Sequence, residues 1–385
     1  MIFSKEIKIR QMTQKKKIAM MFPYAPSYRE PIYQLMDSEL DVHWFFAGNA
    51  TRNLKMFDYK LLKQCNLDIE ETKVIGPITY YKGWKNLKLD DYDYLVIPGV
   101  IRCLSEWKII RKFGRKKKGP KVYLWTHGWY GKESWIQKVI KKIFFSKVDG
   151  FFLYGDYAKS LMIQEGFEES RLHVIKNSLD YDRQLQLRKQ ITTSDIYSKH
   201  FGNNNPVIVF IGRLTPVKQL DQLIDAVALL KQRGEEYNIA LVGDGDMKES
   251  LMQDAKAKGV VDNIWFYGSC FDEKTNAELI YNADLCVAPG NIGLTAMHVL
   301  MFGCPAISHS DFKWQMPEYE SIHPGKTGDF FERNNINALS ESISKWFKEH
   351  RNKREEVRKA CFKEIDTCWN PHYQLDLIKQ VFRID

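Results

Sequence analysis

Three short stretches in the second half of the chain carry residue types suited to holding phosphate. The first is GRLTPVK, Gly212 to Lys218, which follows the apolar run VIVFI and precedes a helical pattern. A glycine at a strand end lets the chain turn tightly, and Arg213 and Lys218 bring two cations to one loop edge, an arrangement fitted to a diphosphate. The second is VGDGDMKESL, Val242 to Leu251, a strand-end glycine turn at Gly243 that opens a helix with Asp246 as its expected N-cap. It lacks the full GxGxxG spacing and reads first as a tight βα turn. The third is APGNIGLTAMHVLMFGCPAI, Ala288 to Ile307, in which a strand runs into a glycine-containing loop and a helix begins near Gly293, Leu294 and Thr295. The unpaired backbone N–H groups and macrodipole of such a helix start attract phosphate.

Residues of this kind need a frame, and the frame is a strand–loop–helix pattern that occurs twice. Lys17–Phe22, Val42–Ala47, Tyr94–Pro98, Val122–Thr126, Gly150–Tyr154 and His173–Ile175 read as short apolar strands, with helices expected at Arg29–Asp37, Leu104–Phe113 and Tyr157–Glu165. Continuous apolar runs of this length suit strands covered on both faces, as in a parallel sheet. After Asn177 a polar stretch reads as a helix and linker, with a break at Gly202 to Pro206. The pattern then restarts with strands Val207–Ile211, Asn238–Val242, Ile264–Tyr267 and Leu285–Ala288, and helices Gln219–Arg233, Met247–Lys258, Thr275–Asn282 and Thr295–Phe302. The fold class is therefore α/β with two Rossmann-like, doubly wound domains. Residues 1–200 are expected as the first, 201–365 as the second and 366–385 as a terminal helix. Ligands of such sheets bind outside the carboxyl ends of the strands, so two facing domains would define a cleft.

Composition narrows the class. A chain of 385 residues with 44% hydrophobic and 13% aromatic content can bury two cores. The seven cysteines are odd in number, scattered and without a CxxC pair, which points to reduced thiols in the cytoplasm and not to a zinc site. There is no run of 18 apolar residues, and the N-terminal MIFSKEIKIRQMTQKKK is charged where a signal core would be apolar.

Charge is unevenly shared: residues 1–180 hold 32 Lys+Arg against 20 Asp+Glu, leaving 25 against 28 for the remainder of the totals 57 and 48. Residues 111–118 form a dense basic block. In residues 132–147, Trp135, Ile136, Val139, Ile140, Ile143 and Phe144 share one helical stripe, flanked or opposed by Lys138, Lys141, Lys142 and Lys147. Such a helix is read in two ways, as one lying on an anionic membrane surface or as an ordinary core-facing helix. No nucleic-acid-binding motif accompanies the basic half, and nucleic acid is not expected as a partner.

The order of these pieces resembles the retaining family-4 glycosyltransferases of the GT-B superfamily over most of the chain. The similar elements are DGFFLYGDYAKSLMIQEGFEESRLHVIKNSLD, the GRL-x-x-x-K loop, the VGDG turn, FYG at 266–268, the helix ending in Gly303-Cys304-Pro305, and PEYESIHPGKTGDFF. The resemblance implies a nucleotide diphosphate-sugar donor bound by Gly212, Arg213, Lys218, Gly243, Asn291, Gly293, Leu294, Thr295, His298 and Glu318, and chemistry served by His127, Arg213 and Lys218. It implies retention without a carboxylate nucleophile, the departing diphosphate helping to deprotonate the acceptor hydroxyl. No cofactor and no metal are expected.

One departure concerns two glutamates that the family carries with seven residues between them, one for the donor sugar and one for the ribose; here those positions are Gly290 and His298. A neutral imidazole can still bond a ribose hydroxyl, and Asn291 a sugar hydroxyl. This marks a variant subgroup. Glu318, from the loop QMPEYES, is expected near the cleft, with Glu320 beside it. Tyr28 and Arg29, in PYAPSYREP after the first strand, are placed on the acceptor side. The basic first half favours an anionic, lipid-linked glycan acceptor, a peripheral position on the inner membrane face, and a role in cell-surface polysaccharide assembly such as capsule or O-antigen. A sugar-nucleotide epimerase or phosphorylase, or a non-catalytic sugar-nucleotide-binding protein, would use the same twin-domain frame.

Overall fold

The computed structural model describes residues 16–48 and 55–384. The charged N-terminal stretch read above lies, apart from residues 16 and 17, outside the described residues. The chain divides into two compact units, one running to Ile175 and resuming at Pro371, the other Lys176–Asn370.

The first unit runs β1 (Lys17–Phe22), α1 (Glu30–Glu39), β2 (Asp41–Ala47), β3 (Cys65–Ile75), β4 (Ile78–Lys82), β5 (Tyr94–Ile97), α2 (Leu104–Phe113), β6 (Lys121–Thr126), α3 (Trp135–Phe145), β7 (Gly150–Leu153), α4 (Asp156–Gln164) and β8 (Leu172–Val174). Its strands form one sheet in the order β4-β3-β2-β1-β5-β6-β7-β8, parallel throughout except for the β3–β4 pair. Alternation along β1 sorts the core onto two faces: Ala19 and Met21 pack with Leu95, Ile109, Phe113 and Phe144, whereas Ile18, Met20 and Phe22 pack with Ile32, Tyr33 and Met36.

The second unit contains α5 (Tyr181–Gln190), α6 (Ile196–Phe201), β9 (Val207–Ile211), α7 (Leu220–Gln232), β10 (Asn238–Val242), α8 (Lys248–Ala257), β11 (Ile264–Gly268), α9 (Glu273–Asn282), β12 (Leu285–Ala288), α10 (Leu294–Met301), β13 (Ala306–His309), β14 (Gly328–Phe331), α11 (Ile336–His350) and α12 (Arg354–Cys368). Six parallel strands lie in the order β11-β10-β9-β12-β13-β14. A final helix, α13 (Pro371–Phe382), belongs to the first unit, where Phe382 stacks on Tyr94 at 4.0 Å and its carbonyl accepts from the Tyr94 hydroxyl at 2.8 Å.

The dividing line falls at residue 175, not near 200 as the polar composition suggests, because α5 and α6 are attached by polar contacts. Gln184 donates to Glu273 at 2.7 Å, Arg188 forks onto Asp366 at 2.9 Å, and the Tyr197 hydroxyl donates to the Leu279 carbonyl at 2.7 Å. Asp246 does not cap α8; that place is taken by Met247, while Asp244 bonds the Gly245 N–H and pairs with Lys248.

The lysine-rich segment forms α3 behind a capping box of Ser134 and Gln137. Its apolar stripe divides. Phe144 and its neighbour Phe145 enter the core, but Trp135, Ile136, Val139, Ile140 and Ile143 are 74, 52, 47, 36 and 48% exposed. Lys141 turns inward to Glu133 at 2.6 Å, and Lys138 and Lys142 share Glu165 at 2.7 and 3.0 Å. Among the described residues no helix is long and apolar enough to cross a membrane.

Candidate active site

In the second unit, β9 and β10 end at glycines because their backbones touch there. A Cβ on Gly243 would lie 1.8 Å from the Gly212 carbonyl oxygen, and one on Gly245 would lie 2.4 Å from that of Leu214. Hydrogen bonds from Leu214 N–H to Asp244 O (2.9 Å) and from Met247 N–H to Leu214 O (3.0 Å) join the two loops into one platform. Gly243 thus has a packing role that accounts for it fully, as the tight-turn reading anticipates.

The platform carries Arg213, exposed, and Lys218, whose Nζ donates to the Asn291 carbonyl at 2.7 Å and to its Oδ1 at 3.0 Å. Burial lowers the Lys218 ammonium to about 8; the Glu318 charge opposes this and the Arg213 charge adds to it. The Lys218 carbonyl in turn accepts from the Gly290 N–H at 2.9 Å. This close approach leaves no room for a side chain at position 290. A Cβ at Gly290 would stand 2.0 Å from the Val217 oxygen and 2.8 Å from the Lys218 Cα, so the space a side chain would need is occupied by the loop that presents Lys218. Ser308 and Gln315 fix the same segment from behind, through Ser308 Oγ to the Ala288 and Gly290 carbonyls (2.8 and 3.2 Å) and Ile292 N–H to Gln315 Oε1 (3.0 Å).

Gly293 caps α10 at φ 56°, ψ −144°, a conformation open in practice to glycine alone. The Thr295 hydroxyl donates to the Ile211 carbonyl at 2.9 Å, tying α10 to the end of β9, so what Leu294 and Thr295 present at the helix start is backbone amide. One turn on, His298 Nε2 lies 2.9 Å from Glu273 Oε1 of α9. Burial pushes the Glu273 carboxyl up, but the His298 bond and charge and the Gln184 and Asn276 bonds outweigh it and hold it below the usual range. An ionised carboxylate only accepts, so Nε2 carries the imidazole proton and Nδ1 is left for another partner. Glu318 is buried and accepts from Asn177 Nδ2 at 2.8 Å; Glu320 pairs instead with Lys176 at 2.9 Å.

In the first unit, Arg29 ends the short 3-10 turn Ser27–Arg29 and serves as N-cap of α1, with Tyr28 beside it. His127 follows β6. Burial, with smaller contributions from the Arg29 and Lys141 charges, lowers its imidazole to about 4, so it is neutral at physiological pH. Its loop is pinned by Glu133, which accepts from the Tyr130 and Gly131 N–H groups at 2.8 and 2.9 Å and from Lys141, which also donates to Gly128 O at 2.8 Å. The predicted residues therefore form two groups, one in each unit: Gly212, Arg213, Lys218, Gly243, Asn291, Gly293, Leu294, Thr295, His298 and Glu318 in the second, Tyr28, Arg29 and His127 in the first.

Residues 193–364 match the family model described as glycosyl transferases group 1. The match covers most of the second unit and none of the first. A GDP-mannose-dependent alpha-(1-6)-phosphatidylinositol dimannoside mannosyltransferase of Mycobacterium tuberculosis is 35% identical over 104 residues, 26% of this chain and 26% of that protein, so the match spans about a quarter of that relative's length. Among solved structures, the lipopolysaccharide outer core galactosyltransferase WaaB superposes with a TM-score of 0.67 at 15% identity, covering 95% of this chain and 99% of that one. The Anabaena protein HepE, in complex with UDP, superposes with a TM-score of 0.68 at 14% identity over 96% and 100%. These superpositions establish the fold expected from the sequence, two parallel Rossmann-like sheets of the GT-B kind.

Within the second unit, two residues of the candidate site escape motif reading. Glu273 reaches His298 from a different helix across 25 positions of sequence, and Asn177 reaches Glu318 across 141. Only the quoted KNSLD stretch hints at the second, and no local signal marks the first.

Proposed function

We propose that this chain transfers a glycosyl group from a nucleotide diphosphate-sugar to a hydroxyl of a glycan or glycolipid acceptor, with retention, in cell-surface polysaccharide synthesis. The observation that carries the reading is Lys218, an ammonium clamped by Asn291 two residues before the Gly293 cap of α10, with Arg213 on the same loop. Two cations and a helix start address one diphosphate and stabilise the charge that develops on it as the glycosidic bond breaks, which is the dominant catalytic term where no carboxylate nucleophile is used. The acceptor hydroxyl loses its proton to the departing phosphate oxygen. His298, oriented by Glu273, replaces the family's ribose-binding glutamate through Nδ1, and Asn291 addresses a sugar hydroxyl in place of the residue that Gly290 cannot carry.

The group 1 domain and the relatives named for glycolipid and lipopolysaccharide synthesis support this reading. The exposed stripe of α3, with the exposed Lys116, Lys117, Lys118 and Lys147 near it, supports a peripheral position on an anionic membrane.

The test is a thermal-shift and turnover panel of UDP-, GDP-, dTDP-, ADP- and CMP-sugars. One donor should stabilise the protein selectively. Arg213→Ala and Lys218→Ala should each lose on the order of 10²-fold in turnover with the fold intact, and Glu273→Gln should weaken nucleotide binding. Near-normal turnover in both cation variants overturns the assignment; affinity without turnover indicates a binding protein, and an isomerised donor without acceptor indicates an epimerase.

A further inference from the structure

The first unit holds a cation that none of its described residues neutralises. The Arg29 guanidinium sits 5.3 Å from the Trp125 ring centroid, 5.2 Å from that of Tyr154 and 5.9 Å from that of Tyr28. Its Nη1 donates to the Tyr33 hydroxyl over a long 3.4 Å. Among the described residues no carboxylate lies within ion-pair distance of it. The half-buried Lys141, which like Arg29 acts on His127, differs in this respect because it has Glu133 at 2.6 Å. Taking a guanidinium out of water without a counter-ion costs stability, and the aromatic faces return only part of that cost.

Beside Arg29 lies a second unsatisfied group. His127 Nδ1 is buried and makes no hydrogen bond, and its ring packs 4.7 Å from that of Tyr154. The residues reach this spot from three strands: Arg29 from the segment after β1, Trp125 and His127 from the end of β6, and Tyr154 from the residue after β7. The spot lies at the carboxyl edge of the sheet. There the strand order reverses at β1, with β2 on one side and β5 on the other, the place where open α/β sheets take ligands.

We propose that Arg29 and His127 form an oxyanion-binding acceptor site, taking a phosphate or carboxylate carried by the acceptor, with the guanidinium as counter-ion, the buried Tyr154 ring behind it and the ring of Tyr28 against the adjoining sugar. Arg suits this task because its planar fork pairs bidentately with either anion while its face stays stacked. The site assigns Arg29 to acceptor selection and leaves donor binding to the second unit. The inference rests on the transferase reading above for the meaning of "acceptor", but its binding test does not.

Binding to the full-length protein is followed by calorimetry with four probes: farnesyl phosphate, glucose 1-phosphate, methyl glucuronide and methyl glucoside. The anionic probes should bind at least about tenfold more tightly than the neutral glucoside, and Arg29→Met should remove that advantage while Arg29→Lys keeps part of it. The ranking among the three anions separates lipid phosphate, sugar phosphate and carboxylate. Nucleotide-sugar affinity should stay within about twofold in both variants. Equal binding of charged and neutral probes, or an unchanged preference in Arg29→Met, overturns the proposal even if donor binding and turnover are intact. Loss of donor turnover in the wild type with the anion preference preserved strikes the transferase reading alone. Should Arg29→Met not fold, the wild-type ranking and the Arg29→Lys variant decide the matter.

Discussion

Placing at position 290 the glutamate that the sequence resemblance leads one to expect should damage this protein, not improve it. The Cβ that any substitution adds there would lie 2.0 Å from the Val217 oxygen and 2.7 Å from the Lys218 carbonyl carbon. Reaching ordinary contact requires the 217–218 backbone to retreat by about 1 Å or more. That peptide cannot retreat alone, because the Gly290 N–H holds the Lys218 carbonyl at 2.9 Å and the Lys218 ammonium holds Asn291. If Lys218 serves the diphosphate as proposed, displacing it by ~1 Å is enough to cost on the order of 10²-fold in rate, and forcing atoms into a packed segment typically costs about 1–3 kcal/mol of stability. Gly290→Ala isolates the steric effect from the charge, so Gly290→Ala and Gly290→Glu should both lose about 10²-fold in donor turnover and melt several degrees lower. Turnover is measured with the donor identified by the nucleotide panel, and melting by calorimetry. A Gly290→Ala protein with wild-type turnover and melting temperature would refute the idea that the Lys218 loop fills the glutamate's place.

Donor affinity should fall as pH rises through the Lys218 value of about 8. The protonated fraction drops about tenfold between pH 7 and pH 9, so the Kd for a nucleotide diphosphate-sugar should rise about tenfold over that range if the bound ammonium keeps its proton. The intrinsic stability contribution of the same group has the opposite sign: with its folded pKa below its unfolded one, stability rises with pH between about 8 and 10.5. An affinity flat across pH 7–9 in the wild type would count against Lys218 as a diphosphate ligand. On vesicles containing anionic lipid, Trp135→Ser/Ile136→Ser should reduce partitioning. Full burial of such side chains is worth roughly 1.5–3 kcal/mol each, and half of that for two residues corresponds to about 10–100-fold. Equal flotation of wild type and variant would remove α3 from the membrane contact.

Much of the frame was legible because its signals are local. Strands such as Val207–Ile211, Asn238–Val242 and Leu285–Ala288 are buried along their whole length, and an uninterrupted apolar run between turn residues marks them. The pair β3 and β4 gave no such signal, since DIEETK alternates charge along a half-exposed antiparallel ribbon. The lysine-rich helix illustrates the limit of periodicity. Its stripe was correctly aligned, yet the pattern is the same whether the stripe faces a core or the solvent, and only the packing of Phe144 and Phe145 decides which residues are inside.

The site divides along the same line. Gly212, Arg213, Lys218 and Gly293 stand at strand and helix ends, where sequence alone indicates a turn and a helix start. What converts them into a site is contact between segments far apart: Lys218 with Asn291 across 73 positions, His298 with Glu273 on another helix, Thr295 with the last residue of β9. Those contacts also turn the two departures from the family pattern into one structural change each. Gly290 is required by the loop in front of it, so its missing carboxylate is a consequence of where Lys218 sits. His298 has a carboxylate after all, supplied by Glu273 and acting through the imidazole. On the proposed function such a site is rebuilt around Lys218, not eroded, and Gly290 and Glu273, together with the cations, are the positions whose substitution tests it.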